Sequence, residues 1–407
     1  MAMKQTQTKM FDFADVGLDF CAGSKTLFPD RLKKMFSQGY NEQTVASVSV
    51  AGNQVTLNYG VAHGYAADRV LKINSGALAA INGGEFWIDS VTATSVTMTI
   101  DAAPISLSGG FVTKIASLGW EIVYEAGLIQ IFKFKNLNEE DLYLRIAHQA
   151  LSGHRNTMMP CVGKTVDLDL GVITDQNAYV NGRSGNNAGQ ALPKWDFTAM
   201  WTGNYNNYTY SQGYSILGNA IVVGSRYHFL ALINTEGNLN SGLINGIVPA
   251  ATINYSNLNY PILFLYDSSA SDKDNRSIDY SSIRKGVIGN ILCNFVPSNS
   301  TAVLTALAPQ AASSYLPSTI SGFNTTTTEL LPIYEESTKQ FLGYAAGGIY
   351  IAKYGASNTP PRTKITSPSK TMDVDLNNLV YLHTAGGPNS TSVTFYAVPI
   401  EEIKIVT

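Results

Sequence analysis

Charged residues are scarce in this chain of 407 residues. Asp, Glu, Lys and Arg make up 14% of the sequence, and the formal net charge is −3. Globular domains carry about 25% of such residues. No run of Lys and Arg forms the basic stripe with which proteins neutralise nucleic-acid phosphates. The composition therefore predicts that nucleic acid is not a partner.

Cysteine and long apolar runs are also scarce. The three cysteines, Cys21, Cys161 and Cys293, are odd in number and widely spaced, unlike a disulfide framework. We interpret them as small buried apolar residues of a protein that folds in a reducing cytoplasm. Residues 1–10 contain no apolar core of a signal peptide. Because no stretch approaches the roughly 18 apolar residues of a spanning helix, we expect no membrane span.

Signatures of catalysis and metal binding are missing as well. Gly163-Lys164-Thr165 resembles the end of a phosphate loop, but Met158 stands where that loop requires glycine. There is no Gly-x-Ser-x-Gly elbow, and the five histidines form no His-Glu-x-x-His pair. We therefore predict a protein that is not an enzyme and binds no cofactor or metal. A glycan hydrolase, which needs only two suitably spaced carboxylates, is the most distant alternative.

One segment near the N-terminus has the pattern of a helix. Pro29 can begin it, and Gly39 can end it in the left-handed conformation. Between them, three apolar residues fall on one face at helical spacing: Leu32, Met35 and Phe36. Residues 1–28 before the helix look like an arm, which we expect to reach a neighbouring molecule.

From residue 43 the apolar period changes to that of a strand. Alternating valines and leucines flank Gly52-Asn53, which predicts a β-hairpin. Further short strands follow without a helix up to residue 115. Strands this short and closely spaced favour a small barrel or sandwich, which we place at residues 43–116.

Several motifs follow one another in this stretch: His63-Gly64-Tyr65, Asp68-Arg69-Val70, Asn82-Gly83-Gly84-Glu85-Phe86 and Ser90-Val91. Their order and spacing resemble a small β-module that recurs in virion proteins of tailed bacteriophages. That module usually reads His-Gly, Gly-Asp-x-Val, Asn-Gly-x-Phe and a closing strand. Here Ala67 replaces a glycine and Gly84 is additional. We expect the ring of His63 to fix a turn.

A second series of strands begins after Gly119. It comprises 120–124, 129–135, 142–146 and a hairpin through Gly224-Ser225. A Gly-Trp-x-x-Val-Tyr strand followed by a Tyr-Leu-Arg-Val-like strand is also similar to phage virion proteins. The predicted fold is mainly β. An N-terminal arm and short helix (1–42) precede the inserted barrel-like module (43–116). A larger antiparallel, sandwich-like body (117–407) follows. Whether a second domain boundary divides this body near residue 236 is left open.

The segment 195–214 is the richest in aromatic residues. Flat rings among Asn, Ser and Gly can stack on sugars, and Tyr and Trp are also favoured at protein interfaces. Three interpretations stay open: packing within the chain, a subunit interface, and contact with a glycan. The candidate residues are Trp195, Trp201, Tyr205, Tyr208, Tyr210 and Tyr214.

The resemblances, with the missing catalytic signatures, imply a structural component of a tailed-phage virion, made in the host cytoplasm. Copies of the chain would form a ring in the tail, neck or baseplate and contact other virion proteins. One alternative is a receptor-binding virion protein that contacts a host glycan through the aromatic segment. Another is a capsid decoration protein on the head.

Overall fold

The computed structural model describes residues 8–22, 24, 26–108, 110–148, 157–186, 194–197, 209–211, 220–234, 242–253, 258–265, 285–295, 327–353, 360, 367–373, 378–385 and 394–401. These residues confirm the predicted class, because the chain is mainly β. It forms one large antiparallel sheet and several smaller antiparallel sheets. No helix in these ranges is long and apolar enough to cross a bilayer. The optional division near residue 236 falls outside them.

The N-terminal segment belongs to the chain's own core. Strand β1 (Lys9–Asp12) pairs antiparallel with a strand at 220–224. Phe11, Phe13 and Phe20 are fully buried, so residues 8–22 pack on their own chain and do not extend as an arm. Helix α1 (Phe28–Lys33) follows and continues into a π-helical turn (Lys34–Gln38), which ends at Gly39 as predicted. Gly39 has φ 74° and ψ 178°, so the left-handed helical geometry expected for it is not adopted.

Two four-stranded sheets form the module. Its strands are β2 (Tyr40–Val45), β3 (Ser47–Ala51), β4 (Gln54–Asn58), β5 (Val70–Ile73), β6 (Glu85–Trp87), β7 (Ser90–Val91), β8 (Ser95–Thr99) and β9 (Phe111–Ile115). The sheet orders are β2-β9-β5-β6 and β3-β4-β8-β7. The predicted hairpin at Gly52-Asn53 joins β3 to β4. Since β2 pairs with β9, the sheets begin at residue 40, slightly before the predicted start at 43.

A five-stranded sheet follows the module. The strands of this region are β10 (Glu121–Ala126), β11 (Ile129–Lys135), β12 (Asp141–His148), β13 (Thr157–Gly163), β14 (Val166–Asp167), β15 (Val172–Ile173) and β16 (Trp195–Asp196). The order in the sheet is β10-β11-β12-β13-β16. Phe132, Leu144 and Val162 lie side by side on three neighbouring strands and face the core. The hairpin β14–β15 lies outside this sheet.

The rest of the described chain forms the strands β17 (Ala220–Gly224), β18 (Phe229–Asn234), β19 (Gly242–Val248), β20 (Ala250–Thr252), β21 (Ile262–Phe264), β22 (Lys285–Ile288), β23 (Ile291–Asn294), β24 (Thr327–Leu330), β25 (Pro332–Glu335), β26 (Phe341–Ala345), β27 (Tyr350–Lys353), β28 (Ser369–Asp373), β29 (Asn378–Ala385) and β30 (Thr394–Pro399). The large sheet has ten strands, β1-β17-β18-β19-β21-β22-β23-β25-β26-β20, and a second five-stranded sheet has the order β24-β27-β30-β29-β28. The predicted hairpin through Gly224-Ser225 joins β17 to β18.

Strands β17 to β19 are buried on both faces, which explains their continuous apolar runs. Val222 and Phe229 face a core that also contains Leu57 of the module and Phe132 of the five-stranded sheet. Their neighbours on the opposite face pack with residues of β27 and β30. The module and the body therefore share one apolar core.

Candidate functional site

The motif residues of the module build its internal turns. The ring of His63 accepts a hydrogen bond at Nδ1 from the Tyr65 backbone N–H at 2.9 Å. Its Nε2 lies 3.2 Å from the Ser95 carbonyl oxygen and donates to it, because Nδ1 is the acceptor. The predicted role of His63 is confirmed. The additional Gly84 has φ +74°, and a Cβ there would lie 2.0 Å from the Ile73 carbonyl oxygen, so only glycine fits.

A buried ion pair joins the module to the N-terminal segment. Arg69 donates from Nε to Asp15 Oδ2 at 2.8 Å and from Nη2 to Asp15 Oδ1 at 2.7 Å. The two side chains are only 7% and 10% exposed. The Tyr40 hydroxyl donates to the same carboxylate at 2.6 Å, and burial together with the Asp15 charge raises the pKa of Tyr40. This bidentate ion pair holds the module in a defined orientation.

Two more ion pairs complete the junction. Lys370 on β28 contacts the carboxylate of Asp68, next to Arg69 in the motif. Lys9 on β1 contacts Glu85 on β6 at 2.8 Å. The motif residues Asp68, Arg69 and Glu85 thus attach the module to the N-terminal segment and to the C-terminal sheet.

A cleft of about 590 Å³ opens beside the Lys9–Glu85 pair. Strands β1 and β6 contribute Lys9 and Glu85 to its lining, together with Leu118 and Gly119 between β9 and β10. The rest of the lining comes from β10 to β12 and the β17–β18 turn. These elements contribute Glu121, Lys133, Lys135, Asp141 and Arg226. The cleft therefore lies where the module joins the body.

Ion pairs surround this cleft. Lys133 lies 2.5 Å from Glu121 on the neighbouring strand, and Lys135 lies 2.7 Å from Asp141. The Arg226 guanidinium contacts the carboxylate of Glu139. The backbone carbonyl oxygen of Arg226 accepts a hydrogen bond from the Lys135 N–H at 3.1 Å. Each of these three cations is thus already paired with a carboxylate.

Lys9 differs from the other cations because its side chain is only 5% exposed. Its ammonium contacts Glu85 Oε2 and donates to the Ser117 carbonyl oxygen. Burial lowers the pKa of Lys9, and the neighbouring Glu85 carboxylate opposes that effect. Lys9 is thus a buried, ion-paired ammonium at the edge of an open cleft.

Two of the histidines form pairs with serines, but all four side chains of these pairs are buried. His228 Nδ1 lies 2.7 Å from Ser225 Oγ, and His383 Nδ1 lies 3.1 Å from Ser367 Oγ. Ser225 Oγ also accepts the Tyr227 N–H at 3.1 Å. With no solvent access, both pairs hold local structure, and neither provides an accessible nucleophile.

The remaining candidate groups also take part in the fold. The three cysteines are free and buried, as predicted, and burial raises the pKa of Cys161 to about 12. Gly163 ends β13 and is followed by the β14–β15 hairpin, so Gly163-Lys164-Thr165 lacks the helix of a phosphate loop. Within the described ranges, no group of three or more His, Cys, Asp or Glu residues is placed to hold a metal ion.

Two of the six aromatic candidates lie in the described residues. Trp195 is fully buried, donates from Nε1 to the Phe264 carbonyl oxygen at 2.8 Å, and packs against Phe229. Tyr210 is half-buried against the main core, and burial raises its pKa. Both rings pack within their own chain. Trp201, Tyr205, Tyr208 and Tyr214 lie outside the described residues.

Sequence reasoning singled out Asp68, Arg69 and Glu85 as motif residues, but it missed their partners. Lys9 and Asp15 lie in the segment that the sequence presented as an arm. The charged residues at 133 and 135 gave a weak signal, because they alternate with buried aromatic residues on an otherwise apolar strand. That spacing shows that both face away from the core.

Comparisons with known proteins add little to this description. No model of a known protein family matches the chain, and no curated protein matches it. Among solved structures, it is similar to the Phage phi92 endosialidase, with 10% sequence identity and a TM-score of 0.15. The similarity covers 91% of this chain and 52% of the endosialidase chain, so this chain spans about half of that protein's length. A TM-score this low does not indicate a shared fold.

Proposed function

We propose that this chain is a non-enzymatic structural protein of a tailed-bacteriophage virion. In this proposal it provides subunit contacts in a ring of the tail, neck or baseplate. The observation that carries the proposal is the place of the phage-module motifs in the molecule. Asp68, Arg69 and Glu85 belong to those motifs, and each also anchors the module to another part of the chain.

A rigid junction suits a subunit of a closed ring. Each copy must present the same surfaces to its neighbours, because the same contact repeats around the symmetry axis. The shared core and the three ion pairs keep the module in one orientation relative to the body. A flexible module would require each ring contact to order it first, which would weaken the assembly.

The reactive groups of the described residues support a mechanical role. The buried serine–histidine pairs and the buried cysteines take part in packing and local hydrogen bonds. The sparse charge also favours assembly, because polar uncharged surfaces cost less to desolvate than charged ones.

Quantitative mass spectrometry of purified particles, with head and tail fractions separated, tests the proposal. A ring predicts about a dozen copies or fewer per particle, enriched with the tails. A protein of known head location, measured in the same digest, controls the separation. Copies on the order of hundreds in the head fraction would instead identify a decoration protein that follows the head symmetry. Absence from the particles would reject a virion role.

A further inference from the structure

We propose that the cleft between the module and the body binds a carboxylate carried by an acidic polypeptide segment of a neighbouring protein. The identity of that neighbour as a virion protein rests on the function proposed above. The binding chemistry does not, because it follows from the residues of the cleft.

The first observation concerns Lys9 at the edge of the cleft. A lysine ammonium has three N–H donors. In the part of the chain that the structure describes, Lys9 Nζ has two acceptors, Glu85 Oε2 and the Ser117 carbonyl oxygen. The side chain is almost wholly buried yet lines the cleft, so its third donor is available to a ligand there. A buried donor gains more from an acceptor than a solvated one, because water does not compete fully for it.

The second observation concerns the backbone beside Lys9. The N–H groups of Leu118 and Trp120 donate to the carbonyl oxygens of Met35 and Phe36. Gly119 between them is exposed, and no backbone partner for its N–H or carbonyl occurs among the described residues. A Cβ at Gly119 would meet no atom within 4 Å, so the backbone faces open space. The cleft thus offers both an ammonium and an unpaired peptide group, as an extended polypeptide requires.

The lining carries charges of both signs. Four cations line the cleft, namely Lys9, Lys133, Lys135 and Arg226. Each of them is paired with a carboxylate, in turn Glu85, Glu121, Asp141 and Glu139. The preference for an anion therefore comes from the remaining donor of the buried Lys9 ammonium. The ion pairs on the rim also penalise partners that carry no matching charges, which gives specificity.

The aromatic residue of the lining argues for a polypeptide over an acidic sugar. Sugar sites commonly present the flat face of an exposed ring. Phe134 is the aromatic residue of this lining, but it is buried, and its ring stacks on Trp120 with centroids 4.6 Å apart. Its face is therefore covered, whereas the peptide group of Gly119 is open.

Calorimetric titration of the full chain tests the proposal. The probe is an acetylated and amidated peptide of alternating glutamate and serine, and the same peptide with glutamine is its neutral counterpart. We expect the acidic peptide to bind and the neutral peptide to bind at least about tenfold more weakly, since the ammonium then meets a neutral amide oxygen in place of a carboxylate. Raising the salt concentration should weaken the acidic peptide's binding.

Variants locate the binding site. Lys9→Met keeps the length of the side chain, and Lys72 remains near Glu85 at 3.7 Å. It should reduce the affinity by about tenfold or more. Lys135→Gln, on the exposed rim, should reduce the affinity for the acidic peptide by a smaller factor. This variant tests the site if Lys9→Met does not fold. Lys33→Met removes a lysine that is ion-paired with Glu125 outside the cleft, and it should leave the affinity unchanged.

Several results would overturn the proposal. These are no binding of the acidic peptide, equal binding of the neutral peptide, or equal affinity in wild type, Lys9→Met and Lys135→Gln. Tighter binding of an oligogalacturonate than of the peptide would replace the polypeptide by an acidic sugar. Because titration uses the isolated chain, its outcome is independent of whether the protein is found in particles.

Discussion

Two buried arginines show how individual charges are accommodated in this fold. Arg69 meets a carboxylate, whereas Arg145 is surrounded by neutral oxygens. Arg145 donates to the carbonyl oxygens of Gly171 at 2.8 Å and Gly185 at 2.7 Å, and burial lowers its pKa. These carbonyl oxygens take the place of water as acceptors for the guanidinium. The hydrogen bonds also hold the segment after β13 against the sheet.

The buried histidines make stability depend on pH. Burial lowers the pKa of His148 and His228 to about 3 and that of His383 to about 4. In the unfolded chain a histidine has a pKa of about 6.5. Above a pH of about 6.5 the neutral histidines contribute fully to stability. This contribution is lost as the pH falls from the unfolded pKa of about 6.5 toward the folded pKa, because the unfolded chain takes up protons first. We expect each to reduce the free energy of unfolding by about 1.4 kcal/mol per pH unit in that range.

Urea unfolding at pH values from 7.5 to about 5.5 measures this slope, above the range in which ordinary carboxyl groups titrate. His228→Asn keeps an amide near Ser225 but cannot take up a proton, so its stability should fall less steeply with decreasing pH. Equal slopes for this variant and the wild type would contradict the assignment of His228.

At the scale of the element, the end of the first helix depends on one glycine. The π-helical turn brings Phe36 against Trp120, Phe132 and Phe229, with ring centroids 4.7 to 5.0 Å apart. Gly39 then turns the chain into β2 with φ 74°. The sequence predicted the helix and its end, but not the π-helical turn that places the Phe36 ring among these aromatic residues.

Gly39→Ala is expected to destabilise the protein more than Gly127→Ala. Both positions have positive φ, which costs a residue other than glycine about 1–2 kcal/mol. At Gly39 the new Cβ would also lie 2.3 Å from the Ile115 carbonyl oxygen, whereas at Gly127 it would meet nothing within 4 Å. The midpoints of urea unfolding compare the two variants, and equal shifts would show that the contact with Ile115 has no effect.

At the scale of the whole molecule, the module and the body form one packed unit. Leu57 of the module and Val222 of the large sheet belong to the same apolar core. The junction pairs Arg69–Asp15 and Lys9–Glu85 cross the boundary between the two parts. We therefore expect the module and the body to unfold together.

Hydrogen exchange of Arg69→Met checks this expectation. The variant leaves the buried Asp15 without its counterion, which costs about 3–5 kcal/mol. Strands β4 and β8 of the module and β17 and β18 of the body should lose the same protection. Lys135→Met, which breaks a half-exposed pair, should cost less than about 1 kcal/mol. Loss of protection in the module alone would mean that the two parts unfold separately.

The local features of this protein could be predicted from its sequence. The hairpins at Gly52-Asn53 and Gly224-Ser225 and the turn fixed by His63 depend on residues close together in the chain. Pairings between distant strands could not be predicted. Strand β1 pairs with β17, which follows it by more than half of the chain. Because of this pairing, the segment that was expected to be an arm belongs to the core.

The β class, the first helix with its glycine end, and the hairpin turns could all be predicted from the amino-acid pattern. These follow from steric limits on the backbone and from apolar periodicity, which act between near neighbours. The pairing of Lys9 with Glu85, the pairing of Asp15 with Arg69 and the cleft beside Lys9 became visible only in the folded chain. Those contacts depend on which sheets share a core, because burial selects the partner of each charge and local pattern does not.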